Sequence, residues 1–167
     1  MHTIIQRQRK QDGFTLLEVL IALLVLSIGL LGLAALQTVG LRSNQMANLR
    51  TLATHRAYDI SDQMRANPVA VDAQDYVLAV TNTVTTPEVS CTTTTCTAAQ
   101  MATFDLANWL TEVVKLPSGR GRITRDASGT LVEHTITVFW DEERTGATGT
   151  NCGPDPAVDL RCIQLTL

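Results

Sequence analysis

The feature that most constrains this chain of 167 residues is a stretch without a charge, residues 19–36, eighteen in a row. Wound as an α-helix it would be roughly 27 Å long, close to a bilayer hydrocarbon core of ~30 Å. The wider segment 14–41 holds 20 of the 75 apolar residues, and outside it the apolar share falls to about 40%, ordinary for a small soluble domain. The chain therefore reads as one apolar stem and one modest globular head. That excludes a multi-pass membrane protein, a wholly disordered chain and a large enzyme with a deep core. Ahead of the stem lies MHTIIQRQRKQDG, with Arg7, Arg9 and Lys10 against Asp12. Basic residues stay cytoplasmic, so the amino end is expected inside and the carboxyl end across the membrane. A wholly removed secretory signal fits poorly. The apolar run exceeds the usual h-region of about 7–15 residues, and no clear small-residue cleavage site follows it.

Glu18 sits four residues after Phe14, directly before the long apolar run. A carboxylate at membrane depth costs on the order of a few kcal/mol, which marks it as a functional residue that needs a partner. Residues 14–41 contain no Lys, Arg or His. The cation must come from another chain, from lipid or from a new amino terminus. Cleavage between Gly13 and Phe14 would create an ammonium about 6 Å of helix rise from Glu18.

Gly13-Phe14-Thr15-Leu16-Leu17-Glu18, followed by a long apolar helix and preceded by a basic leader, resembles the class III prepilin signal of type IV pilins. The resemblance implies that a membrane prepilin peptidase cuts after Gly13 on the cytoplasmic face and N-methylates Phe14. The apolar segment is then retained as filament core, and Glu18 serves filament assembly. Residues 16–37 and Met64-Arg65-Ala66-Asn67-Pro68 further resemble the PilV-type minor pilins, with a weaker echo in Trp109 and Leu116-Pro117-Ser118-Gly119. That likeness implies a subunit that primes assembly of a type IV pilus and is incorporated into it, in support of twitching motility and surface attachment. Its implied partners are the prepilin peptidase/methyltransferase, other minor pilins, a large tip adhesin, the major pilin and inner-membrane lipid. Its implied location is the inner membrane, single-pass with the head periplasmic, and then the pilus, at its tip. Two other readings remain open. One is a minor pseudopilin of a type II secretion system, which shares stem, processing and Glu18. The other is a membrane-tethered periplasmic enzyme or binding domain whose motif is coincidental.

The expected segments are a leader over 1–13, a transmembrane half-helix over 14–41, an amphipathic half over 42–66 and a head over 67–167. In the amphipathic half, Leu41, Leu49, Leu52, Ala53, Ile60 and Met64 fall near helical spacing, and Asn67-Pro68 supplies a stop. Gly29, Gly32 and Gly40 each weaken the helix, and no proline lies between Phe14 and Met64. Residues 69–97 read as irregular, with threonine at nine of the seventeen positions 81–97. A second helix is expected over 98–115, with Ala102, Leu106, Trp109, Leu110 and Val113 on one face. Strands are expected over 120–125, 130–140 and 160–167, the middle one alternating Val132, His134, Ile136, Val138 and Trp140. A long helix packed on a small antiparallel sheet is an α+β fold, which agrees with the pilin fold that the resemblance implies.

All four cysteines lie in the head, which translocation would place in an oxidising compartment. Three pairings are possible, and sequence proximity favours Cys91 with Cys96 and Cys152 with Cys162. Metal ligation by Cys91 and Cys96 is disfavoured, because His55 and His134 are single and far apart in sequence. No nucleophile elbow, phosphate loop or zincin pattern is present, so neither enzyme activity nor a cofactor is expected. Asp141-Glu142-Glu143 reads as a solvated acidic strand end, and Arg120, Arg122 and Arg125 as a small basic group. Loss of residues 1–13 removes three basic and one acidic residue, leaving 10 against 15. At that balance no nucleic-acid partner is expected.

Overall fold

The computed structural model describes residues 13–129 and 131–167. The basic leader up to Asp12, and Thr130 at the expected start of the middle strand, lie outside the described residues. The chain divides into two compact units, Met1–Ser43 and Asn44–Leu167. Helix α1 (Leu16–Ala66) contributes to both.

Within the first unit, α1 is apolar on every side, and its large side chains from Leu16 to Leu41 are exposed. It is long and apolar enough to cross a membrane. Its few hydroxyls are satisfied locally: Ser27 Oγ donates to the Leu23 carbonyl at 2.7 Å, and Thr38 Oγ1 to the Ala34 carbonyl at 3.0 Å. Such back-bonding lets a polar side chain ride in an apolar helix without an orphaned donor.

The second unit is the α+β head. Asn67 ends α1, but Pro68 also opens a short helix, α2 (Pro68–Asp72), as its first residue, where its missing N–H costs nothing. Strand β1 (Leu78–Thr81) follows. The expectation of an irregular 69–97 therefore needs correction at both places. Helix α3 (Ala98–Val113) starts with a reciprocal capping box. Thr97 Oγ1 accepts from the Gln100 N–H at 3.3 Å, and Gln100 Oε1 accepts from the Thr97 N–H at 2.9 Å. Strands β2 (Arg120–Asp126), β3 (Glu133–Trp140) and β4 (Arg161–Thr166) complete an antiparallel sheet in the order β1-β2-β3-β4. The head is the four-stranded sheet and helix of the expected α+β class.

The core lies between the α1 stripe Ala53, Ala57, Ile60 and Met64, helix α3 and one sheet face. Small residues at 53 and 57 let neighbouring elements approach the helix closely. Trp109 exploits this: it is buried, and its indole N–H donates to the Arg56 carbonyl of α1 at 2.7 Å. Leu41 and Leu52, expected on the buried stripe, are exposed at 65% and 37%. On β3, His134, Ile136, Val138 and Trp140 are buried, whereas Val132 before the strand is exposed. Thr137 and Phe139, pointing the opposite way, are buried as well, because the loop between β3 and β4 returns over that face. Phe139, Ala147 and Leu160 form this second, smaller cluster.

Candidate functional site

Gly13, Phe14 and Thr15 precede the helix in non-helical backbone, and all three are exposed. Phe14 is 84% exposed, and nothing lies within 4 Å of the place a Gly13 side chain would occupy. Among the described residues nothing covers the peptide bond between them. Thr15 starts the helix: its Oγ1 accepts from the Glu18 N–H at 3.3 Å and its carbonyl from the Val19 N–H at 3.3 Å. That places Glu18 in the first turn of α1. A carboxylate is favoured there by the unpaired N–H groups and the positive end of the helix dipole. Among the described residues no cation forms an ion pair with Glu18. A positive group brought to this helix start would therefore meet an unpaired carboxylate.

The structure joins Cys91 to Cys96, with Cα atoms 5.6 Å apart, and Cys152 to Cys162, at 5.5 Å. The first bridge closes the loop that exposes Thr92–95 ahead of α3. The second ties the β3–β4 loop to β4. No His, Cys, Asp and Glu cluster able to hold a metal ion occurs among the described residues.

Sequence reasoning missed the charged groups that lock the head. Asp141-Glu142-Glu143 is not a solvated strand end, because Asp141 and Glu142 are buried at 4% and 7% exposure. Asp141 accepts from the Gly146 N–H at 2.8 Å and the Thr145 N–H at 3.1 Å, holding the turn after β3. Glu142 accepts two hydrogen bonds from Arg50 of α1, from Nε at 2.6 Å and Nη2 at 2.9 Å. This fork-to-fork contact is the strongest geometry available to the pair, and it raises the Arg50 pKa further above its ordinary value. A buried pair joins Tyr76 and Asp105, with Tyr76 Oη donating to Asp105 Oδ2 at 2.6 Å. Burial pushes the Asp105 carboxyl and the Tyr76 phenol up. Their partners lie 92 and 29 residues away in sequence, so no local spacing reveals them. The arginine group also needs correction: strand alternation sends Arg120 and Arg122 to one face and Arg125 to the other. Arg122 stacks over the Phe139 ring, 5.2 Å from its centroid.

Two protein families match the chain. The prokaryotic N-terminal methylation motif matches residues 8–34, which include Gly13, Phe14 and Glu18. The Tt1218-like family, described as type IV pilin Tt1218, matches residues 35–107, from mid-α1 through most of α3. Neither a curated protein nor a solved structure matches the chain.

Proposed function

Because this chain is a type IV pilin, a structural subunit and not an enzyme, we propose that it acts as a minor subunit of a type IV pilus. Pilins carrying this motif are processed by a prepilin peptidase, held in the membrane by the amino-terminal helix and assembled with other pilins. In the proposed sequence of events the head crosses to the periplasm and the basic leader stays inside. Cleavage between Gly13 and Phe14 then exposes an ammonium, which is methylated. Glu18 of the incoming subunit then pairs with the amino-terminal ammonium of a neighbour. Either charge alone is costly in hydrocarbon, whereas the pair is tolerated, so the contact sets register between subunits. Minor pilins and a tip adhesin are the proposed neighbours, and the pilus tip is the proposed place.

The observation that carries this reading is Glu18, which forms no ion pair among the described residues, in the first turn of an exposed apolar helix, four residues beyond an exposed Phe14. Deletion of the gene, with twitching and type II protein export assayed side by side, tests it. Loss of twitching and of surface pili with export intact is expected. Lost export with normal pili would assign the subunit to secretion instead. Complementation with Glu18→Ala should restore membrane insertion but leave the subunit about a hundredfold or more depleted from sheared pili, as the loss of about 3 kcal/mol or more from one broken buried charge pair implies. Recruitment of that variant at the wild-type level would refute the role given to Glu18.

A further inference from the structure

Strand β4 is an outer edge of the sheet, and beside it lies a pocket of about 330 Å³ lined by Arg50, Trp140, Arg161, Cys162 and Ile163. Arg161 stands directly opposite Trp140 across the β3–β4 ladder, so both project to the same face. The Cys152–Cys162 bridge holds this stretch of β4 in place.

The charges here do not cancel. Both oxygens of Glu142 are taken by Arg50, at 2.6 and 2.9 Å. Arg161 approaches the same carboxylate only to 3.6 Å, beyond hydrogen-bonding reach, and its Nε is buried with no acceptor. The indole Nε1 of Trp140, in a side chain 96% buried by its 4% exposure, also has no acceptor. Among the described residues two guanidiniums share one carboxylate, and two residues lining the pocket, Arg161 and Trp140, each carry a donor without an acceptor. An orphaned buried donor is costly, and charge-assisted bonds to arginine are the strong ones.

We propose that this pocket receives a carboxylate side chain of a neighbouring pilin subunit, held by Arg161 and Arg50. Charge complementarity selects an acid: lysine or arginine would meet the surplus positive charge, and an apolar group would leave Arg161 unsatisfied. Strand β4 has no further strand beside it among the described residues, so the acid can arrive on a polypeptide whose backbone follows β4. This inference rests on the pilus-subunit reading above.

Two measurements on the full chain test it. In detergent micelles, sodium acetate should saturably shift the NMR signals of the Trp140 indole N–H and the Arg161 Nε–H. The Trp140 shift should vanish in Arg161→Gln. A response to phosphate but none to acetate would overturn the carboxylate assignment, as would no response to either. In cells, Arg161→Gln should be depleted from sheared pili about tenfold, and Arg161→Lys should recover part of that loss. Thermal unfolding of the Gln variant should match wild type, which separates docking from folding. Wild-type chain in pili together with undiminished Arg161→Gln would overturn this docking site alone. Absence of the wild-type chain from pili would instead overturn the pilus-subunit reading, and this site with it.

Discussion

His134 stands on the core face of β3, 6% exposed, and its Nε2 has no hydrogen-bond partner. Burial and the nearby Arg125 guanidinium hold its pKa below the ordinary 6.5, against a smaller pull upward from Asp72. The folded head therefore prefers neutral His134. As pH falls below about 6.5 the unfolded chain takes up a proton that the folded chain declines. Stability contributed by this residue is complete above that value and is lost as pH drops toward the lowered folded pKa. The unfolding temperature should fall between about pH 7.5 and about pH 5, and the fall should be smaller in His134→Gln. An equal slope in both proteins would show that His134 is not the sensing group. The Tyr76–Asp105 pair works in the opposite direction: its carboxyl, raised by burial, favours the folded state at lower pH. The comparison with His134→Gln isolates the histidine from it.

Among the elements, α3 and β2 pack closely. A Cβ added at Gly121 would lie 2.6 Å from two ring carbons of Trp109, whose indole is fixed by its bond to the Arg56 carbonyl. Gly121→Ala should therefore destabilise the head by about 1–3 kcal/mol, read as a lower unfolding temperature. Gly129→Ala, with its nearest contact at 3.8 Å, should stay within about 0.5 kcal/mol of wild type. Equal stability of the two variants would contradict the packing described. Trp109 and the 116–119 turn thus owe their spacing to packing. Ser118 adopts φ 51°, and the Cα of Gly119 passes so near the end of α3 that a Cβ would meet the Val113 carbonyl. Helices α1 and α3 were legible in the sequence because their periodicity runs over many turns, and α1 is bounded by Asn67-Pro68. Strand β1 was not. It is four residues long, sits at the edge in a threonine-rich stretch, and is defined by its pairing with β2. Helix α2 was hidden behind a proline read only as a stop. The charge lock was illegible for a different reason: Arg50 and Glu142 come from distant segments, and an acidic tripeptide in isolation reads as solvated. The Gly13–Glu18 motif was legible because its parts are contiguous.

At the scale of the whole molecule, the two units have opposite demands. The head buries its apolar residues in two clusters and is stapled by two disulfides. The first unit leaves its apolar side chains exposed along the whole of 16–41. Such a surface is stable only in lipid or against other apolar helices, and a filament of like helices supplies the second environment without refolding the first. In the proposed assembly Glu18 would make that exchange selective, because a neighbour without a positive end would leave its carboxylate unpaired in hydrocarbon. Assembly by this route therefore depends on the creation of an amino terminus at Phe14. Intact-mass and fragment mass spectrometry of the subunit recovered from sheared native pili tests this most directly. A chain beginning at Phe14 and carrying one methyl group on its amino nitrogen is the predicted result. A pilus-borne chain that still carries residues 1–13 would contradict it.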